Sequence, residues 1–262
     1  MTSLELSNFD ISKDIDMDSM FYNCSSIKIL NLSHFVGKEV TNLQSVFSKC
    51  LKLEYLDFDN FEGKITTMYG AFSDCHSLTS INLPKLKTEQ IKRINYAFSN
   101  CYSLKSLDLS MGSFKNVDES MYLFSNCYSL TSVNLSNFNT SNYGNMNYMF
   151  SNCSQLAYLD LSNFNTSRVH YMNNMFYNCS SLKTLIINFD TSRVNAMYRM
   201  FGLCASLTSL NISSFRTIRC NGFTGIFENN YGLDLYITEG TCKNLVKEIP
   251  KYINIHYIPE SK

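Results

Sequence analysis

Cysteine and histidine are the side chains here best equipped for redox, metal or nucleophilic chemistry, and their spacing limits what they can do. Eight of the ten cysteines follow a phenylalanine by three residues, at intervals of 25 or 26. The pairs are Phe21/Cys24, Phe47/Cys50, Phe72/Cys75, Phe98/Cys101, Phe124/Cys127, Phe150/Cys153, Phe176/Cys179 and Phe201/Cys204; a ninth, Phe227/Asn230, lacks the sulfur. Ten cysteines in a short secreted chain would suggest a disulfide framework. Sulfurs in one slot of successive repeats form a ladder instead, whereas a tetrahedral zinc site needs converging ligands. The slot is expected to face the core, where a free cysteine behaves as a small hydrophobe. A reactive thiol would need an exposed, electropositive setting that such a slot does not supply. Cys220 and Cys242 stand outside the ladder. The histidines, His34, His76, His170 and His256, fall in four different repeat positions and do not converge. With no nucleophile elbow and no glycine-rich phosphate loop, the expectation is no catalytic residue, no metal and no cofactor: not an enzyme.

A period of 25 or 26 residues is the signature of a solenoid, and the repeat carries the elements that position everything else. In the unit from Met149 to Asn174, Leu156-x-x-Leu159-x-Leu161 is a leucine-rich-repeat strand pattern. Leu159 and Leu161 point inward, while Tyr158 and Asp160 point out. Ser162 to Thr166 form a polar turn around Phe164, and Thr166 or Ser167 could cap a helix. Val169, Met172, Met175, Phe176 and Cys179 then fall on one stripe at a helical period. The inward strand pair recurs as Leu30/Leu32, Leu56/Phe58, Ile81/Leu83, Leu107/Leu109, Val133/Leu135, Leu185/Ile187 and Leu210/Ile212. The turn aromatic recurs as Phe9, Phe35, Phe61, Phe114, Phe138, Phe164, Phe189 and Phe215, with Leu86 once in its place.

The predicted fold is therefore an α/β solenoid: a leucine-rich-repeat-like, right-handed coil of about nine strand–turn–helix repeats over residues 1–230. Residues 231–262 are expected to form a C-terminal cap, with a strand at Asp234–Thr238, a helix at Thr241–Ile249 stopped by Pro250, and a strand at Ile253–Ile258. The start, LELSNFD, reads as the inside of a coil, so an N-terminal cap is expected to be absent and the open end available for self-association.

Register makes the outward columns legible. One reads Asn31, Asp57, Asn82, Asp108, Asn134, Asp160, Ile186, Asn211 and Ile237; the other Ile29, Tyr55, Ser80, Ser106, Ser132, Tyr158, Thr184, Ser209 and Leu235. Alternating amide and carboxylate would relieve repulsion between neighbouring Asp side chains, each Asn donating to an Asp. It would equally form a hydrogen-bonding strip for a partner. On the predicted helix side, Tyr96, Tyr122 and Tyr148 share one slot and Tyr102 and Tyr128 another. Tyrosine buries area yet keeps a hydroxyl for water or a partner. The candidate partner-binding residues are thus Asn82, Asp108, Asn134, Asp160, Tyr55, Tyr158, Tyr96, Tyr122 and Tyr148.

Composition excludes some partners. Twenty-two basic and 22 acidic residues balance to a formal charge of +0 and are scattered, so nucleic acid is not an expected partner. No apolar run approaches the length of a membrane span, and the first residues lack a basic and an apolar region of a signal peptide. Sequons at Asn23, Asn31, Asn134, Asn139, Asn152, Asn165, Asn178 and Asn211 sit tightly in the repeat body. Sugars there would disturb coil stacking, which favours a bacterial surface or a cytosol.

The pattern M-F-x-N-C-x-S-L-x-x-L-(D/N)-L-S-x-F-x-T-x-x-V-x-x-M resembles the BspA-like leucine-rich repeat, in particular the variant of unknown function in mycoplasma surface lipoproteins. The resemblance covers essentially the whole chain, and Leu-Tyr-Ile-Thr followed by a helix resembles that family's C-terminal cap. It implies a non-enzymatic surface protein, with adhesion to host matrix proteins or other cells known for some members. A cell-surface or extracellular location follows if a signal or anchor has been removed, a cytoplasmic one otherwise. The expected function is recognition of a protein or glycan through the strand face; the alternative is a structural protein that stacks through its ends.

Overall fold

The structure is a computed structural model that describes residues 3–4, 16–33, 40–57, 63–83, 87–240 and 242–259. The expectations for Phe9, Phe35, Phe58, Phe61, Leu86, Thr241 and His34 lie outside these residues. Most coils contribute a short strand, and all pairs are parallel. The strands are β1 (Ser3–Leu4), β2 (Ile29–Asn31), β3 (Tyr55–Asp57), β4 (Ser106–Asp108), β5 (Ser132–Asn134), β6 (Tyr158–Asp160), β7 (Thr184–Ile186) and β8 (Ser209–Asn211), then β9 (Asp234–Thr238) and β10 (Asn254–Ile258). They form sheets in the orders β1-β2-β3, β4-β5, β6-β7 and β10-β9-β8. The central strand residues Leu30, Leu107, Leu159 and Leu210 are buried, with exposed residues on either side, because successive side chains in a strand point to opposite faces. Phe114, Phe138, Phe164, Phe189 and Phe215 fill the turns from inside.

The predicted helix is not there, and the fold is a β-solenoid rather than an α/β one. The stretch expected to be helical carries stacked turns, with two left-handed residues four apart in each coil. Examples are Tyr96 and Asn100 (φ 61° and 61°), Tyr122 and Asn126 (57° and 62°), and Asn174 and Asn178 (55° and 59°). An α-helix cannot pass through such residues. What the chain gains is visible in the backbone hydrogen bonds of residues 122–127. Leu123, Ser125 and Cys127 donate their N–H to carbonyls three residues back in their own turn, at 3.3, 3.2 and 3.2 Å. Tyr122, Phe124 and Asn126 donate theirs to Asn147, Met149 and Ser151 of the next coil, at 3.0, 2.8 and 2.8 Å. A helix would have kept every one of these bonds to itself; the turns share them between coils. A column of single parallel bridges, Asp16–Asn42–Thr67–Arg93–Glu119–Asn145–Tyr171–Ala196–Gly222, adds a second rail.

The inward residues survive this change. Val169, Met172, Met175, Phe176 and Cys179 are all fully buried, since the turns return the same side of the chain to the core. Thr166 caps nothing: it is buried and its hydroxyl donates to the Asp190 carbonyl at 2.9 Å. Ser167 is held in an Asn165 turn.

The Phe-x-x-Cys slot is a double ladder. The phenylalanine rings stack from Phe21 through Phe227, with successive centroids 5.3 to 5.9 Å apart. Each thiol from Cys50 to Cys204 donates to the phenylalanine carbonyl of the preceding coil, for example Cys127 to Phe98 and Cys153 to Phe124, both at 3.2 Å. Where the sulfur is missing, Asn230 Nδ2 donates to the Phe201 carbonyl at 2.9 Å. Asparagine therefore replaces cysteine as a donor. All ten cysteines are free, and burial pushes the ladder thiols from Cys50 to Cys204 up, to about 12 for Cys50, Cys127 and Cys204. They stay protonated and inert.

The C-terminal elements correct a register. β9 pairs with β8 as Ser209↔Asp234, Leu210↔Leu235 and Asn211↔Tyr236. Leu235 and Ile237 are thus buried rather than outward, and Asp234 and Tyr236 end the outward columns. A shift of one residue exchanges the two faces of a strand, and two apolar residues two apart select the core. The helix predicted over 241–249 is the single turn α1 (Lys243–Val246), anchored by buried Leu245. β10 pairs along the whole of β9.

A candidate recognition surface

The Asn/Asp column serves the fold first. Asn31, Asp108, Asn134, Asp160 and Asn211 each accept, through a side-chain oxygen, the backbone N–H two residues on (Ser33, Ser110, Ser136, Ser162 and Ser213) at 2.8 to 3.2 Å. These Asx turns end the strand and redirect the chain. Among the described residues, the expected donation from Asn to a neighbouring Asp is made by Asn134, whose Nδ2 reaches Asp108 Oδ2 at 3.1 Å. Hydrogen bonds from Ser110, and then from Asn134, hold the Asp108 carboxyl below its ordinary value, and those from Ser162 do the same for Asp160.

Five of the candidate residues come together. Asn82, Asp108 and Asn134 line an open depression of about 370 Å³ floored by Ser80, Ser106 and Ser132. Asn134, Tyr158 and Asp160 line a second of about 460 Å³, sharing Ser132 and Val133 with the first. Asn82 lies in an extended segment, residues 79–83, that carries no strand. Tyr55, 55% exposed, stands one coil before Ser80 in the same column. The result is one polar trough along the solenoid, with Tyr55 and Tyr158 toward its ends.

Tyr96, Tyr122 and Tyr148 lie elsewhere, on the turn wall. Their rings stack at 4.8 and 4.5 Å, and burial pushes the hydroxyls of Tyr96 and Tyr122 upward. All three occupy left-handed positions, φ 57° to 61°, that hold glycine at Gly70 and Gly225. A bulky residue there is conformationally costly.

Next to them runs a ladder that composition and spacing did not disclose. Asn178 Nδ2 donates to Asn152 Oδ1, Asn152 to Asn126, Asn126 to Asn100, and Asn100 to Asp74 Oδ1, at 2.8, 2.7, 2.7 and 2.6 Å. Asp74 can only accept, so it orients every amide of the row. The readable signal was the asparagine before Cys101, Cys127, Cys153 and Cys179, which is also a left-handed residue of its turn. His76, Tyr102 and Tyr128 form another ring stack beside the ladder, with centroids 4.2 and 5.1 Å apart.

His256 pairs with Asp234 at 2.9 Å and His76 lies 3.9 Å from Asp74, in separate parts of the coil. Among the described residues, no three His, Cys, Asp or Glu side chains converge as a metal site, and no helix is long and apolar enough to cross a membrane.

A family model described as a mycoplasma protein of unknown function, DUF285, matches residues 2–64 and 145–249. One for the BspA-type leucine-rich repeat region matches residues 44–167. No curated protein matches the chain. Among solved structures, a leucine-rich repeat protein of T. pallidum is similar at 22% identity over 59% of this chain and 76% of its own, with a TM-score of 0.39. A leucine-rich repeat protein of Bacteroides ovatus is similar at 18% identity, over 92% of this chain and 86% of its own, with a TM-score of 0.27. An internalin of Listeria monocytogenes is similar at 14% identity, over 96% of this chain and 87% of its own, with a TM-score of 0.30. Matched over well more than half of its length, and built from BspA-type leucine-rich repeats, the chain belongs to the mycoplasma family of unknown function DUF285.

Proposed function

We propose that this protein is a non-catalytic recognition module of a cell surface, binding a protein or glycan partner through its strand face. Leucine-rich repeats are in general protein-interaction modules, and the extended surfaces of solenoids suit that use. The observation that carries the reading is the trough across β4, β5 and β6, where Asp108, Asn134, Asp160 and Tyr158 line two joined depressions. A coil count of nine, read from the phenylalanine column, and a division at residue 230 into solenoid and cap belong to the same reading. The test is partner capture from host-cell surface extracts and matrix preparations by the wild type and by Asp108→Ala/Tyr158→Ala. Capture should fall far more than the modest lowering of the thermal midpoint that loss of the Asp108 turn bonds entails; a loss of capture only in proportion to the loss of stability would assign those residues to the fold alone. A second reading, stacking through the ends, is favoured by β10 being the outer strand of its sheet. Concentration-dependent elution in size-exclusion chromatography would support it.

A further inference from the structure

The two exposed tyrosines of the strand face differ from those of the turn wall. Tyr55 and Tyr158 are 55% and 54% exposed, and among the described residues neither ring stacks on another, whereas Tyr96, Tyr122 and Tyr148 cover one another. In the three coils between Tyr55 and Tyr158 their column holds only Ser80, Ser106 and Ser132. Nothing bulky stands between the rings. At the spacing of parallel strands, ~4.8 Å, the four steps between them amount to about 19 Å.

We propose that this trough is a row of subsites for a neutral, extended oligosaccharide lying along the solenoid axis, about one sugar unit per coil. The proposal rests on the recognition reading above and names its ligand class. A linked pyranose advances by nearly one strand spacing, so successive units would meet equivalent side chains. Each sugar offers apolar C–H faces, which an open aromatic ring accepts, and hydroxyls that both donate and accept. The lining answers with acceptor-only carboxylates, amides and hydroxyls. Each depression holds a single carboxylate, Asp108 in one and Asp160 in the other. The Ser162 N–H holds Asp160 Oδ1 at 2.9 Å, and the Ser162 hydroxyl also bonds the carboxyl, so its orientation in the depression is fixed. One carboxylate in each depression offers little to a basic peptide. A peptide would also bring backbone groups that need a strand edge, whereas the trough presents side chains.

The test is calorimetric titration of the full chain with β-1,4-linked glucose, N-acetylglucosamine and mannose oligomers, from disaccharide to hexasaccharide. At least one series should gain about tenfold in affinity between disaccharide and pentasaccharide and then level off. Tyr158→Ala should lose about tenfold, Tyr148→Ala nothing, and high salt should leave binding unchanged, as neutral ligands require. The thermal midpoint of each variant checks folding. Failure of every oligomer overturns the proposal, as does binding that Tyr158→Ala leaves intact. If no sugar binds but a captured protein is lost with Asp108→Ala/Tyr158→Ala, recognition stands and the glycan assignment falls. A lysine-rich peptide that binds and is released by salt would likewise replace it.

Discussion

Asn126 is the middle of the amide ladder, and its replacement tests the turn wall most directly. Its side chain donates to Asn100 and accepts from Asn152, both at 2.7 Å, and its backbone sits at φ 62°. Asn126→Ala removes both side-chain bonds, at about 1 kcal/mol each. It also leaves the Cβ that asparagine already carries in the left-handed region without the polar group that eases it there, at up to about 1 kcal/mol. The expected loss is about 3 kcal/mol. Asn126→Gly removes the same bonds but carries no left-handed cost, so it should lose about 1 kcal/mol less. Asn126→Asp sets an acceptor against Asn100 Oδ1 and should be worse at neutral pH than in acid, where its protonated form can donate again. The assay is urea unfolding followed by circular dichroism, comparing midpoints at constant slope. A coil in the middle of a solenoid stabilises both neighbours, so the transition should also broaden if the array splits. Equal losses for Ala and Gly would refute the left-handed backbone; three variants close to wild type would refute the ladder.

Tyr143 fills a core slot that holds valine in the next two coils, at Val169 and Val194, and its hydroxyl has no hydrogen-bond partner among the described residues. Tyr143→Phe should therefore stabilise by about 1 kcal/mol or more, and a lowered thermal midpoint would show that the hydroxyl is satisfied. The carboxyls of Asp108 and Asp160 are lowered from 3.8 by their hydrogen bonds. A depressed folded-state value means stabilisation that is complete above pH 3.8 and is lost as pH falls through that lower value. Midpoints measured from pH 5 down to pH 2 should drop less steeply for Asp108→Asn/Asp160→Asn, which keeps the turns without the charge; an unchanged slope would refute this. In thiol titration of the native chain Cys24, the one incompletely buried cysteine, should react first, and unfolding should release all ten. Fewer than ten would mean disulfides.

Much of this fold follows from residue type and period. Inert cysteines, buried turn phenylalanines and inward leucines are all readable, because burial depends on which side of the chain a residue occupies, and a fixed period repeats that side. The trough was legible for the same reason: Asn82, Asp108, Asn134, Asp160 and Tyr158 share one face of successive strands. Conformation on the opposite wall was not. Val169, Met172 and Met175 suit a helix and a stack of turns equally well, since both return them inward. The choice is made by hydrogen bonds between coils, which no single repeat contains. Only neighbours 25 or 26 residues away supply the carbonyls that Tyr122, Phe124 and Asn126 need. The same holds for function. The order of residues determines that Tyr55 and Tyr158 point outward and Tyr96, Tyr122 and Tyr148 share a slot. Stacking decides that the first two stay open to a ligand while the other three cover one another, because ring exposure depends on what the next coil brings alongside.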